Sequence, residues 1–127
     1  MENAHNDLFE EKYFAQLRDV LGQENALPLF EKMLFYLKEK LAALDEAFAQ
    51  KDMVMIEQVI HALGSNAAQM GAMALMRDAR RLEQLCQNNT SSAQREVLAA
   101  QAGLFMLAEQ SLRFCEDFIN QQKSQSA

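Results

Sequence analysis

Apolar residues return along most of this chain in steps of three and four, the spacing that lines one face of a helix. The clearest run is Leu27, Phe30, Leu34, Leu37, Leu41, Leu44 and Phe48. It predicts a long helix that starts near Glu24 or Asn25 and ends near Gln50 and Lys51, packed lengthwise like a bundle helix. Pro28 falls in its first turn, where a missing N–H costs nothing. Glu31, Lys32, Lys38, Glu39, Lys40, Asp45 and Glu46 lie mostly off the seam. A shorter helix is expected before it, from about Asp7 to Val20. Asn6 or Asp7 would cap it, and Glu10 and Glu11 sit in the first turn, where the macrodipole favours acid. Phe9 or Tyr13, with Phe14, Leu17 and Leu21, supply its apolar side, and Gly22 reads as its stop.

Asp52 suits the N-cap of a third helix running to about Gln69, with a buried stripe of Ile56, Val59, Ile60, Leu63, Ala67 and Met70. A fourth follows from about Ala72 to Gln87. Its inward face is Leu75, Met76, Ala79, Leu82 and either Leu85 or Cys86. The run from Asn88 to Ser92 reads as the clearest loop in the chain. Ser91 with Gln94 makes a capping-box pattern that opens a last helix. Its core face is Val97, Leu104, Ala108, Leu112, Cys115 and Ile119, widened by Phe105, Phe114 and Phe118. The polar tail, from about 120 to 127, is expected to fray. Short connections between long amphipathic helices give antiparallel neighbours. The expected fold is therefore all-α: an antiparallel up-down four-helix bundle with an additional short N-terminal helix, one domain over residues 1–127.

Composition narrows the function. The chain has 127 residues, four glycines, one proline and a net charge of −6. An acidic chain without a basic run argues against a nucleic-acid binder, which needs clustered cations to neutralise phosphates. No apolar run approaches bilayer length, so no membrane span is expected. The acidic, polar start MENAHNDLFEEK lacks a signal-peptide core, and a cytoplasmic location is the expectation. Cys86 and Cys115 have no CxxC spacing and read as buried or semi-buried free thiols. The eight methionines read as flexible core filler rather than a metal site.

Candidate chemistry gathers in Ile60 to Ala72, which reads IHALGSNAAQMGA. On the helical wheel Ile56, Ile60, Leu63, Ala67 and Met70 cluster within roughly 40° of one direction. His61 points about 140° away from them, toward solvent. Its neighbours one to three turns on are Gly64, Ser65, Ala68 and Ala72, all small, where an exposed helix face normally carries long polar side chains. A glycine in mid-helix costs on the order of 1 kcal/mol relative to alanine. A cleared strip beside a protruding imidazole suggests that something large comes close. An idle surface histidine is the bland alternative. A metal site lacks ligands, since the second histidine is His5 and the same face adds only Glu57. A Ser65–His61 hydrolase lacks a strained elbow and an oxyanion nest. A nucleophilic histidine serving a protein partner fits the strip better.

Here the chain resembles the histidine-containing phosphotransfer (HPt) domain family, especially small stand-alone phosphorelay proteins. The family motif reads roughly H-x-L-K-G-S-x-x-x-x-G-A, and this chain reads HALGSNAAQMGA, matching at His61, Leu63, Gly71 and Ala72. Gly71, ten residues after His61, fixes the alignment. RRLEQLC, from Arg80 to Cys86, resembles the Leu-Glu pair late in the family's next helix. LGQENALPLFEKML from Leu21 and the stretch AFAQKD resemble the segments before the histidine helix. The resemblance implies a phosphorelay intermediate of a multistep two-component system. His61 would take a phosphoryl group from a receiver-domain aspartate and pass it to another receiver. Response-regulator receiver domains are the implied partners, with a hybrid histidine kinase as a further candidate. It implies no autokinase activity and no cofactor, the Mg²⁺ belonging to the receiver. A single-chain bundle with a charged outside leads us to expect a monomer.

Three departures matter. Gly64 stands where the family has a lysine that meets the phosphoryl oxygens, Ser65 where it has glycine, and Asn66 where it has serine. Arg77, Arg80 or Arg81 on the next helix could supply charge, and Ser65 a hydrogen bond. Glu57, Ala72, Arg77, Arg80 and Arg81 are thus the candidates for docking or charge. The family's glutamine on that helix has no clear match, because Glu83 and Gln84 both lie near its place. The missing lysine keeps an alternative open: a non-phosphorylated adaptor that binds a receiver or a kinase without chemistry.

Overall fold

The computed structural model describes residues 11–126. Among these described residues six helices follow in order: α1 (Glu11–Leu21), α2 (Gln23–Ala49), α3 (Met53–Met70), α4 (Met73–Asn88), α5 (Ser91–Ala99) and α6 (Gln101–Ser126). α2 packs on α3 and on α6, α3 on α4, and α4 on α6. These four close the antiparallel bundle. α1 lies on α2, and α5 joins α4 to α6.

The core is the one the spacing predicts. Phe30, Leu37, Leu44 and Phe48 of α2 meet Ile56, Ile60, Leu63, Ala67 and Met70 of α3, Leu75, Ala79 and Leu82 of α4, and Leu104, Ala108 and Cys115 of α6. Leu27, Leu34, Leu41 and Val59 flank it, half-buried. α1 is pinned by aromatic packing. Phe14 stacks on Phe30 with ring centroids 4.4 Å apart, and Phe118 meets both rings edge-on at 5.3 and 5.6 Å. No helix among the described residues is long and apolar enough to cross a membrane.

Several boundaries differ from expectation, each for a local reason. The expected start of the first helix, with Asn6, Asp7, Phe9 and Glu10, lies outside the described residues. α2 begins at Gln23, so Pro28 sits beyond the first turn and deprives the Glu24 carbonyl of its helical donor. α4 runs through Asn88, which shrinks the expected loop to Asn89 and Thr90. The cap of α5 is Thr90, whose hydroxyl accepts from the Ala93 N–H at 3.1 Å, and not Ser91. Gln94 instead donates to Asn89 Oδ1.

The single last helix is in fact two, interrupted at Ala100, whose N–H is shared between Glu96 and Val97 carbonyls. The tail from 120 does not fray but continues α6 to Ser126. Gln122 is buried there. It accepts from Arg18 Nη1 at 3.0 Å through its side chain and from Gln23 Nε2 at 2.9 Å through its carbonyl.

Candidate functional site

The site is built by the turn between α3 and α4. Asp52 starts α3 by accepting from the Met55 N–H at 3.2 Å. Gly71 ends it with a left-handed φ of 78°. Its N–H bonds the Ala68 carbonyl, and the Ala72 N–H bonds the Ala67 carbonyl, which closes the last turn in the Schellman pattern. A side chain at Gly71 would clash with its own backbone in that conformation. The chain then reverses into α4. Antiparallel helices pair residues equally far from such a turn. His61 therefore lies across from Glu83, and Gly64 across from Arg80.

His61 is exposed, as its direction on the helix predicts, with 63 % of its side chain open to solvent. Its Nδ1 lies 2.6 Å from Glu83 Oε2, and the Glu83 side chain is only 14 % exposed. An ionised carboxylate can only accept, so Nδ1 carries the proton. In the neutral ring the lone pair is then on Nε2, and ring orientation is fixed by the hydrogen bond of the other nitrogen. The second Glu83 oxygen, Oε1, receives Arg80 Nη1 at 3.3 Å. One half-buried carboxylate thus joins the histidine of α3 to a guanidinium of α4.

The remaining predicted residues divide. The exposed strip of small residues does not form as expected, because α4 packs onto that side of α3. Gly64 and Ala72 are buried, Ser65 is half-buried, and Ala68 alone of the four is exposed. A Cβ on Gly64 would stand 3.2 Å from Arg80 Nη1 and 3.4 Å from Ala79 Cβ. Glycine there permits close approach of α4. Glu57 is half-buried on the same side of α3 and, with Glu83, faces Cys86. Arg77 is exposed. Arg81 turns elsewhere, to Asp78 Oδ1 at 3.0 Å and Glu96 Oε2 at 3.9 Å.

Ser65 makes no hydrogen bond to His61, so no Ser–His pair is assembled among the described residues. Nor does any group of three or more His, Cys, Asp or Glu among them form a metal site. Both cysteines are free and buried. Burial, with Glu57 and Glu83 nearby, pushes the Cys86 thiol up to about 11. Burial, with Glu116 nearby, pushes that of Cys115 up to about 12.

A family model described as Hpt domain matches residues 11–116. The chain belongs to the Hpt domain family. Hpt domains are phosphotransfer carriers that act with response-regulator receiver domains, and this chain is a phosphorelay protein in that general sense. No curated protein matches it. Its fold is similar to the crystal structure of histidine-containing phosphotransfer protein B from Pseudomonas aeruginosa PAO1. The TM-score is 0.71 at 19 % identity, covering 93 % of this chain and 96 % of that one. At that identity the likeness speaks for the bundle, and the site must be argued from its own atoms.

Proposed function

We propose that this Hpt protein is a phosphorelay intermediate that accepts a phosphoryl group on His61 from a receiver-domain aspartate and passes it to a second receiver. The observation that carries this reading is the Glu83 carboxylate on His61 Nδ1, beneath an exposed ring. The Nε2 lone pair attacks phosphorus as the acyl P–O bond of the aspartyl phosphate breaks. The bonding pair leaves on the receiver's carboxylate, and an N–P bond forms. The ring becomes an imidazolium carrying the phosphoryl group, with its proton on Nδ1. Glu83 stabilises that positive charge and holds the ring still, as the buried aspartate does for a catalytic histidine. The reverse steps hand the group to the next receiver.

The small or flush surface of Ala68 and Ser65 beside the ring suits the approach of a folded partner. In this reading the chain acts as a monomer in the cytoplasm, needs no metal of its own and does not phosphorylate itself from ATP. The Mg²⁺ that serves the acyl phosphate sits on the receiver.

The test is to mix the protein with a phosphorylated receiver and follow the label. An acid-labile, base-stable phosphate on the wild type, lost in His61→Gln, is expected. Label that persists in His61→Gln, or a receiver that binds tightly and leaves His61 unmodified, would sink the proposal. The second result would point to an adaptor.

A further inference from the structure

A phosphoryl group on His61 Nε2 brings a doubly negative charge to a ring already held by a carboxylate. Such a site needs a cation at the phosphoryl oxygens, because charge there must be matched by fixed donors. α3 offers none: the residue one turn beyond His61 is Gly64. α4 does. Arg80 gives Glu83 Oε1 a single long contact, 3.3 Å from Nη1, which leaves most of its five donors uncommitted. Its side chain is 41 % exposed and so meets the solvent from which a phosphoryl group would arrive.

Gly64 is what lets it lie there. A Cβ at that position would be 3.2 Å from Arg80 Nη1 and 3.4 Å from Cζ, so the guanidinium rests against the backbone of α3, one turn from His61. Arg81 is already held by Asp78 and Glu96. We infer that Arg80 is the group that binds the phosphoryl oxygens on His61, delivered by α4 across the bare backbone of Gly64. This rests on His61 being the phosphoacceptor. It assigns the two residues as a matched pair: glycine on one helix makes room for the cation of the other.

The experiment uses the full chain and two phosphodonors, a phosphorylated receiver and potassium phosphoramidate, the latter free of any docking contribution. Formation of phosphohistidine is followed in wild type, Arg80→Gln, Arg80→Lys, Gly64→Lys and the double variant Arg80→Gln/Gly64→Lys. Thermal melting serves as the control for folding. Arg80→Gln is expected to slow the reaction with both donors by about tenfold or more, the scale of losing one charged donor at a developing anion. Arg80→Lys should retain part of the rate. The double variant should recover part of it by returning a cation from α3, and Gly64→Lys alone should crowd Arg80.

The phosphorus resonance of phosphorylated His61 is expected to shift in Arg80→Gln, which a purely structural role would not produce. Wild type phosphorylated normally, with Arg80→Gln within about twofold of it on both donors, overturns this inference and leaves the phosphoacceptor reading intact. Wild type that takes no phosphate on His61 from either donor overturns both. Should Arg80→Gln fail to fold, Arg80→Lys and its phosphorus resonance decide the matter.

Discussion

His61 and Glu83 stand eleven residues before and eleven after Ala72, and their side chains meet at 2.6 Å between Nδ1 and Oε2. The contact is a consequence of the turn, because an antiparallel pair of helices matches residues equidistant from its hinge. In the proposed phosphotransfer it also sets the chemistry, since a carboxylate at Nδ1 holds the proton there and leaves the Nε2 lone pair free. Glu83→Gln keeps an acceptor for the Nδ1 proton but removes the charge. A hydrogen bond to a charged partner is worth about 1 kcal/mol more than a neutral one, so phosphotransfer should slow by roughly five- to tenfold. Glu83→Ala frees the ring and should slow it further. Rapid-quench transfer kinetics measure the rates, and nitrogen shifts of His61 read the tautomer. A Glu83→Ala variant as fast as wild type would remove Glu83 from the mechanism.

Gly71 acts through the backbone. With φ at 78°, Gly71→Ala is expected to cost about 1–2 kcal/mol of stability, the cost of a Cβ in the left-handed region. Urea denaturation measures it. Because the residue touches no reacting atom, phosphate uptake by the variant that remains folded should be near normal.

The bundle was legible because its apolar residues recur so regularly, and the exposure of His61 followed from the same wheel. The family motif added the fixed spacing to Gly71. Arg80 stood among three candidate arginines and Glu83 beside Gln84, and the sequence did not choose within either set, although the means existed. Counting outward from the Gly71–Ala72 turn pairs residue 61 with 83 and residue 64 with 80. That count needs the hinge located to one residue, and sequence spacing alone places helix ends less sharply than that. Gly64 was misread for a related reason. On an isolated wheel it shares the face of His61, but the neighbouring helix covers that edge, so a position expected at the surface is buried. The break at Ala100 left no signal in the residues that flank it, since alanine and glutamine are good helix formers.

Phe14 is the anchor of α1. It is fully buried, stacked on Phe30 and edge-on to Phe118. Phe14→Ala should cost about 3–5 kcal/mol, the usual range for deleting a buried phenyl ring. Limited trypsin digestion should then cut at Arg18, which the wild type shields by its contact with Gln122. A variant that melts with the wild type and resists trypsin at Arg18 would mean that α1 docks by other contacts.

The buried thiols make stability depend on alkaline pH. Both have an ordinary value of 9.0, and burial raises Cys86 to about 11 and Cys115 to about 12. Between those limits the unfolded chain has released its thiol protons and the folded chain has kept them. The unfolded state then binds fewer protons, so unfolding free energy falls as pH rises. The stabilising contribution is fully present below pH 9 and is lost as pH climbs through the folded values. The slope approaches about 1.4 kcal/mol per pH unit for each thiol. Urea denaturation at a series of pH values from 8 to 10.5 should show that decline, and Cys115→Ala should flatten it. At pH 8 the native thiols should also resist a disulfide reagent until urea exposes them. A pH profile unchanged in Cys115→Ala, or rapid native labelling of Cys115, would show that the thiol is neither buried nor raised.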